Sequence, residues 1–271
     1  QAVTEASPEF KMPARGGLRS TGLRPRGVEI LRIDQGGTQN MSGKDITIQD
    51  KDGGNFTGYL ALPEGGTGPG VVVIQEIFGV NAVMREITDG MAAAGYVALC
   101  PDLFWRQEPG IQITDQTEAE WARAFELFNG FDLDKGVDDL ESTIQALRAV
   151  DGCTGKIGTM GFCLGGRLAF LTATRTSADA AVSYYGVMLT DHTDETLKAP
   201  CMLHIATEDE FVPKDQQAAV HAALKGNAKA VLHDYEGQNH AFARVGGKHY
   251  DKASADLARQ RTLDFFKNHL A

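Results

Sequence analysis

The sequence predicts an α/β fold, in which a mostly parallel central sheet carries helices on both faces. Short apolar runs alternate along the chain with longer segments whose apolar residues recur every three or four positions. Several of the short runs are apolar throughout, as is typical of strands buried on both faces. This alternation of strand and helix favours parallel strands joined by covering helices.

Eight segments have the length and apolar content of strands. They span residues 46–50, 58–62, 71–75, 96–100, 156–160, 180–184, 201–206 and 230–235. The first two are predicted to form a leading hairpin. Three amphipathic helices are predicted from apolar stripes at helical spacing. The stripes consist of Val83, Ile87 and Met91, of Val137, Leu140, Ile144 and Leu147, and of Leu263, Phe266 and Leu270.

Residues 1–40 differ in composition from the rest of the chain. They are rich in glycine and arginine and show no sustained period of a strand or a helix. We expect them to be a disordered or cloning-derived leader before a natural start at Met41. The alternative is an ordered N-terminal arm. No linker or repeat divides residues 41–271, which we expect to form a single domain.

Charge and hydropathy restrict the class of partner. The chain has 271 residues, a formal net charge of −10 and an isoelectric point near 5.2. A protein this acidic repels nucleic acid and anionic membranes, so the expected partner is a small molecule. No apolar run approaches the roughly 18 residues of a membrane span, and the first residues lack the apolar core of a signal peptide. These features predict a soluble, cytoplasmic protein.

The four cysteines are widely separated and include no C-x-x-C pair. This spacing is typical of neither a zinc site nor a disulfide framework, so no metal is expected. Cys100, Cys153 and Cys201 are interpreted as small buried apolar residues. Cys163 differs, because its neighbours are glycines.

Cys163 lies in the segment GFCLGGR, residues 161–167, between a predicted strand and a helix-like run. Glycines two positions before and two after it permit the tight turn that exposes a nucleophile above a parallel sheet. The turn also begins a helix, whose N-terminal N–H groups favour a thiolate or an oxyanion. The alternative is a glycine-rich turn that merely carries a buried cysteine.

A nucleophile at such a turn needs a base and an acid to orient that base, and the acid precedes the histidine in the chain. The strand at 201–206 is followed by Glu208, Asp209 and Glu210, any of which could be the acid. The strand at 230–235 is followed by His240, in a loop behind a glycine-containing turn. His204 lies within an apolar strand and is predicted to be structural.

A further acid, Glu76, follows the predicted strand at 71–75. Loops in this position supply the second oxyanion N–H group in such folds. A carboxylate there requires a partner, because burying an unpaired charge is costly. It is either a helix N-terminal acid or a regulator of the Cys163 thiol.

Six ordered blocks of residues 41–271 resemble the dienelactone hydrolase (carboxymethylenebutenolidase) family of the α/β-hydrolase superfamily. The blocks are QEIFGVNAVMRE, CPDLFWRQ with a following PG, GFCLGG, SYYGV, EDEFVP and HAFAR, with QRTLDFF near the end. The resemblance implies Cys163 as nucleophile, His240 as base and Asp209 as the orienting acid. It implies the backbone N–H groups of Ile77 and Leu164 as the oxyanion hole.

In that family the thiol rests against the glutamate matching Glu76, and bound substrate displaces this carboxylate towards the arginine matching Arg244. The family also places an arginine, a tyrosine and a tryptophan on one helix face that points into the site. Here Thr117 and Glu120 predict the capping box of that helix, and its face carries Trp121, Phe125 and Phe128. Trp121 stands where the family has its arginine, so the resemblance implies a site that binds substrate carboxylates less well. The alternative is that Trp121 is a core residue.

The function implied is hydrolysis of an activated lactone or ester of the dienelactone type, through a thioester and without a cofactor. Two alternatives are a general carboxylesterase or thioesterase of the same fold, and a non-catalytic thiol sensor. The resemblance and the acidic surface favour a monomer.

Overall fold

The structure is a computed structural model that describes residues 43–271. The predicted leader, residues 1–40, lies outside this part of the chain. Within it the strands are β1 Lys44–Gln49, β2 Asn55–Ala61, β3 Gly68–Ile74, β4 Val97–Pro101, β5 Cys153–Phe162, β6 Ala180–Tyr184, β7 Cys201–Ala206 and β8 Ala230–Tyr235. The helices are α1 Ala82–Ala93, α2 Glu118–Asn129, α3 Leu133–Arg148, α4 Leu164–Arg175, α5 Lys214–Leu224 and α6 Lys252–Leu270.

The strands form one sheet in the order β1-β2-β4-β3-β5-β6-β7-β8. β1 and β2 pair antiparallel, as do β2 and β4, and the remaining pairs are parallel. The predicted leading hairpin and mostly parallel sheet are therefore confirmed. Because parallel strands run the same way, the loops that follow β3, β5, β7 and β8 lie at one edge of the sheet.

Both faces of the sheet are covered, as predicted. Alternate residues of β3 separate to the two sides: Val71 and Val73 join a cluster with α1 and α6, while Val72 and Ile74 join a cluster with α3 and α4. All four side chains have no solvent exposure. This explains why the strand is apolar throughout, since neither of its faces meets water.

The predicted bounds differ most for β2, β3 and β5. Residues 55–57 lack the apolar pattern from which a strand is predicted. They belong to β2 because they pair in register with β1, with Thr57 opposite Thr47. β5 extends to Phe162 because Met160, Gly161 and Phe162 pair with β6. Strand pairing is a long-range interaction that local hydropathy does not contain.

No helix within residues 43–271 combines the length and the apolar content needed to cross a membrane.

Candidate active site

Cys163 lies between the end of β5 and the start of α4 in a backbone conformation that side chains rarely adopt. Its φ is +57° and its ψ is −115°. The strained geometry is held by the Cys163 N–H, which donates to the Tyr184 carbonyl at 3.1 Å, and by the Cys163 carbonyl, which accepts from the Arg167 N–H at 3.1 Å. Strain of this kind persists where the surrounding structure enforces it and is concentrated at functional sites.

The two glycines nearest the cysteine are required by close backbone contacts. A Cβ atom at Gly161 would collide with the Gly165 carbonyl, and one at Gly165 would collide with the carbonyls of Ile74 and Gln75. The glycine spacing identified in the sequence therefore allows β5, α4 and the end of β3 to approach each other. The predicted tight turn is confirmed.

His240 and Asp209 are brought together by the loops that follow β8 and β7. The Nδ1 atom of His240 lies 2.9 Å and 3.0 Å from the two carboxylate oxygens of Asp209. Oδ1 of Asp209 also accepts from the backbone N–H groups of Phe211 at 2.8 Å and Val212 at 3.2 Å. Both side chains are buried, so the imidazole is held in one orientation with Nε2 directed away from the acid.

The other two acids considered beside Asp209 have different partners. Glu208 is exposed and pairs with Lys214 at 2.6 Å. Glu210 pairs with His249 at 3.1 Å. Asp209 is therefore the member of this acidic run that contacts His240.

The electrostatic environment of His240 includes Cys163. Burial by itself lowers the pKa of His240, but the negative charge of Cys163 and then that of Asp209 outweigh it and raise the pKa to about 10. Nε2 of His240 makes no hydrogen bond of good geometry. The Cys163 sulfur is nevertheless close enough to interact with the ring. The arrangement favours the protonated form of the His240 imidazole.

Glu76 follows β3 and forms a buried ion pair with Arg244, whose Nη1 lies 3.1 Å from Oε2 of Glu76. The other oxygen, Oε1, has no hydrogen-bond partner, and the Cys163 thiol is therefore not bonded to it. The resemblance implies a resting glutamate against the thiol. The structure instead has the arrangement that the resemblance assigns to the substrate-bound enzyme.

Asp115 is a member of the site that the sequence analysis did not identify. Its Oδ2 lies 3.0 Å from Nη2 of Arg244, and its side chain is 11% exposed. Burial lowers the pKa of Arg244, but the charges of Glu76 and then Asp115 outweigh it and hold the pKa above its usual value. Asp115 stands two residues before the helix cap in the chain, where an acid is commonplace, so no signal in the sequence distinguished it.

Helix α2 begins as predicted. The side chain of Thr117 accepts from the Glu120 N–H at 3.2 Å, while the Glu120 carboxylate accepts from the Thr117 hydroxyl at 2.8 Å. The predicted face exists: Trp121 stacks on Phe125 at 5.6 Å between ring centroids. With Phe128, both are partly buried against one apolar cluster.

Trp121 connects this face to the charged part of the site. Its ring meets the edge of Phe78 at 5.1 Å, and its Nε1–H donates to the backbone carbonyl of Asp115 at 2.9 Å. The guanidinium of Arg244 lies 5.2 Å from the centroid of Phe78. Trp121 is thus both a packing residue and a neighbour of the Asp115 and Arg244 pair. Arg123 pairs instead with Glu108 and Glu126.

The predicted oxyanion donors lie in the loop after β3 and at the start of α4. Leu164 is the first residue of α4, so its N–H has no acceptor within the helix. The loop that carries Ile77 is fixed by Gln75, whose Oε1 accepts from the Leu103 N–H at 2.9 Å. Both N–H groups therefore belong to segments next to the Cys163 turn.

Unpaired polar atoms cluster at this site. Within the described residues five buried side-chain polar atoms lack a hydrogen-bond partner. One of them, Ser183 Oγ, lies in β6. The other four are Glu76 Oε1, Tyr185 Oη, His240 Nε2 and Arg244 Nε. Buried polar atoms are normally paired, so this group supplies donors and acceptors for a bound ligand.

The remaining titratable candidates have structural environments. His204 is buried in β7, where Nε2 lies 3.0 Å from the Thr262 hydroxyl and Nδ1 lies 2.8 Å from the Tyr235 hydroxyl. Burial keeps its pKa well below the usual value. Burial raises the pKa of Cys100 and of Cys201 to about 12. Cys153 was predicted to be buried but is partly exposed. No cluster of metal-ligating side chains occurs among residues 43–271.

Comparisons with known proteins match the same part of the chain. The family model described as "Dienelactone hydrolase family" matches residues 56–270. A putative carboxymethylenebutenolidase from Azospirillum brasilense is 49% identical over 230 residues, covering 83% of this chain and 99% of that protein. A carboxymethylenebutenolidase from Pseudomonas putida is 39% identical over 227 residues, covering 83% of this chain and 96% of that protein.

Solved structures share the fold. The crystal structure of a putative dienelactone hydrolase from Klebsiella pneumoniae superposes with a TM-score of 0.75 at 27% identity, covering 83% of this chain and 98% of that one. A Pyrococcus furiosus esterase has a TM-score of 0.64 at 15% identity, covering 85% and 94%, and shows the likeness of fold alone. The fold is that of the α/β hydrolases, as predicted, and the relatives are hydrolases of lactone or ester bonds. The chain belongs to the dienelactone hydrolase family.

Proposed function

We propose that this hydrolase cleaves activated lactones or esters of the dienelactone type with Cys163, His240 and Asp209 as a catalytic triad. The observation that carries the proposal is the strained backbone of Cys163, which exposes a thiol beside an imidazole oriented by Asp209. The proposal is also supported by the charges of Cys163 and Asp209, which raise the pKa of His240 to about 10. Perturbed titration of this kind is concentrated at active sites.

In the first half of the reaction the Cys163 thiolate attacks the ester carbonyl, and a carbon–sulfur bond forms. The oxyanion accepts hydrogen bonds from the N–H groups of Ile77 and Leu164. The carbon–oxygen bond to the leaving group then breaks, and the enolate takes up the proton of the His240 imidazolium, which leaves a neutral imidazole. In an open ester the leaving group then departs, and in a lactone it stays attached to the acyl chain. A thioester remains on the enzyme. Enolates and aryloxides leave readily, whereas amines and simple alkoxides do not, so sulfur suits activated substrates.

In the second half His240 takes a proton from water, and the water oxygen attacks the thioester carbonyl. The carbon–sulfur bond breaks, the acid product is released and the thiolate is restored. Asp209 keeps the imidazole in one orientation throughout. The sum of both halves consumes one ester bond and one water and uses no cofactor.

The remaining site residues are proposed to bind the rest of the substrate. Arg244 supplies the cationic end, and Trp121, Phe125 and Phe128 supply the aromatic face of α2. Glu76 is proposed to tune the thiol through its exchange between Cys163 and Arg244. A cytoplasmic location and a monomeric state remain predictions.

The test is hydrolysis of p-nitrophenyl acetate in the pre-steady state. We expect a burst of p-nitrophenolate equal to the enzyme concentration, followed by steady turnover. Cys163→Ala should abolish both phases, and Cys163→Ser should leave weak activity, because an alkoxide is harder to generate than a thiolate beside Glu76. Cys153→Ala, at another partly exposed cysteine, is the matched control and should behave as wild type.

Two outcomes would contradict the proposal. Full turnover in the Cys163→Ala variant would exclude this nucleophile. A burst without subsequent turnover would favour a thiol sensor that acylates once.

A further inference from the structure

We propose that Asp115 is a specificity-determining residue that occupies the carboxylate-binding side of Arg244, so that the enzyme prefers neutral activated esters and lactones to substrates bearing a carboxylate. This inference rests on the proposed function, since it concerns the substrate of the same site. It starts from the ion pair between Asp115 Oδ2 and Arg244 Nη2 at 3.0 Å.

The guanidinium already serves two resident carboxylates. A carboxylate binds arginine best through two parallel N–H bonds. In this structure Nη1 donates to Glu76 at 3.1 Å, and Nη2 forms an ion pair with Asp115 at 3.0 Å. Nε has no partner, and each Nη atom carries a second N–H group. A substrate carboxylate would therefore have to share the guanidinium with two carboxylates or displace one of them.

The charges of the site also oppose an anionic substrate. The side chains of Glu76, Asp115 and Arg244 are only 4%, 11% and 10% exposed. Two carboxylates already surround one guanidinium, so a third would leave two negative charges uncompensated in a buried region. Like charges placed together away from water repel strongly, because solvent screens them poorly.

Asp115 is held in place and does not simply project from a loop. Its backbone carbonyl accepts from Nε1 of Trp121 at 2.9 Å. Trp121 is itself fixed by its edge contact with Phe78 at 5.1 Å and its stacking on Phe125. Trp121 thus acts as a positioning residue for the carboxylate that covers Arg244. The aromatic surface around it suits an uncharged substrate group.

The experiment compares two substrates that share one scissile bond and differ by one charge. They are carboxymethylenebutenolide and its methyl ester, and the readout is the acid-to-ester ratio of kcat/KM for the lactone ring. We expect wild type to favour the methyl ester. Asp115→Asn keeps the shape of the side chain and removes its charge, and it should raise the ratio by about 10-fold or more, the effect of gaining one charge-assisted contact.

Asp151→Asn is the control for net charge. Asp151 is exposed in the turn before β5, at the opposite end of the strand from Cys163, and its substitution should leave the ratio unchanged. The melting temperature and the activity on the methyl ester establish that each variant is folded.

The proposal is overturned if folded Asp115→Asn keeps the wild-type ratio within about twofold, or if wild type already prefers the acid. Either result leaves the proposed function intact, because both substrates are still hydrolysed through Cys163. Failure of the proposed function has a different signature, namely hydrolysis of neither lactone by wild type.

Discussion

Arg106 and Arg244 are each held between two carboxylates, and the two clusters differ in how completely their buried atoms are paired. Arg106 lies between Asp50 and Asp139, at 2.6 Å and 2.7 Å. Arg244 lies between Glu76 and Asp115, at 3.1 Å and 3.0 Å. Each cluster combines one formal positive charge with two formal negative charges.

The buried polar atoms of the Arg106 cluster are all paired. Asp139 also accepts from the Trp105 Nε1–H at 2.9 Å and from Nε of Arg106 at 3.3 Å. Asp50 also accepts from backbone N–H groups in the β1–β2 turn. The guanidinium lies over the Trp105 ring at 4.2 Å. No buried side-chain donor or acceptor of this cluster is left for a ligand, which is typical of a structural network.

The Arg244 cluster leaves Glu76 Oε1 and Arg244 Nε unpaired, beside the unpaired Tyr185 Oη and His240 Nε2. These atoms are buried at a cost that a purely structural network avoids. The comparison teaches that ion pairing by itself does not identify a functional site. The unpaired atoms around the ion pair do.

The largest effect is expected when one carboxylate of each cluster is replaced by an amide, because the two replacements should change different properties. Asp139→Asn presents an amide N–H to the Arg106 and Trp105 donors. It should cost roughly 1.5–3 kcal/mol of unfolding free energy, as for hydrogen bonds to charged groups. In a domain of this size that lowers the melting temperature by roughly 3–12 °C. The acid-to-ester ratio should not change.

Asp115→Asn should do the reverse, changing the ratio with little change in melting temperature, because Arg244 keeps Glu76 as a partner. Calorimetry and kinetics on the same preparations check both expectations. The distinction between the clusters fails if Asp139→Asn alters the ratio as much as Asp115→Asn does.

A second prediction concerns His240, whose Nε2 is one of the unpaired atoms beside the Arg244 cluster. Because Cys163 contributes most to raising its pKa to about 10, Cys163→Ala should lower that pKa. In wild type the folded pKa lies above the ordinary value of 6.5, so the stabilisation is complete below pH 6.5 and is lost as the pH rises through about 10. In the variant this loss should be smaller and should be complete at a lower pH.

NMR titration of the histidine rings measures the pKa, and urea unfolding across the pH range measures the stability. His204, which burial keeps neutral, is an internal control in the same spectra. An unchanged His240 titration in the Cys163→Ala protein would show that the sulfur does not influence the ring.

A smaller effect is expected from the tryptophan of each cluster. Trp105→Phe and Trp121→Phe each remove one indole N–H, which donates to the Asp139 side chain in one case and to the Asp115 backbone in the other. Each should cost about 1 kcal/mol. We expect only Trp121→Phe to raise the acid-to-ester ratio, by a few fold, because it loosens Asp115.

Trp121→Arg introduces the arginine that the resemblance implies at this position and should raise the ratio further. It also removes the bond to the Asp115 carbonyl, so the conservative Trp121→Phe variant is needed to separate the two causes. Equal ratios in wild type and both Trp121 variants would remove Trp121 from any role in specificity.

The last change, removal of the N-terminal residues, is expected to have no effect on stability or activity. Deleting residues 1–40 should leave the melting temperature and kcat/KM unchanged, because their composition, rich in glycine and arginine, has too low an apolar content to contribute to a core. Thermal unfolding of the shortened chain measures this. A loss of several degrees would favour the ordered arm instead.

Much of the fold could be predicted because its signals are local. The predicted bounds of β6, β7 and β8 match the structure, since each is a short apolar or β-branched run between clear turns. Helix α5 was not assigned by an apolar stripe, because only Gln217, Val220 and Leu224 of it are buried. Its place depends on packing against the sheet, which a weakly amphipathic sequence does not specify.

The sequence by itself determined the nucleophile turn and its neighbours in the chain. The glycines around Cys163 and the position of His240 after β8 are local patterns whose geometry depends on a few adjacent residues. It narrowed the orienting acid to three candidates, and the resemblance chose Asp209. In the structure Asp209 is the one of these three acids that contacts His240, and two backbone N–H groups hold it there.

Only the tertiary structure decided what surrounds Arg244. Glu76, Asp115 and Arg244 lie in three separate loops, and nothing in the pattern of any one of them refers to the others. Asp115 looks like an ordinary acid before a helix until the fold carries it to Nη2 of Arg244. Its significance comes from distance, burial and the pairing of nearby atoms, and these exist only once the chain has folded.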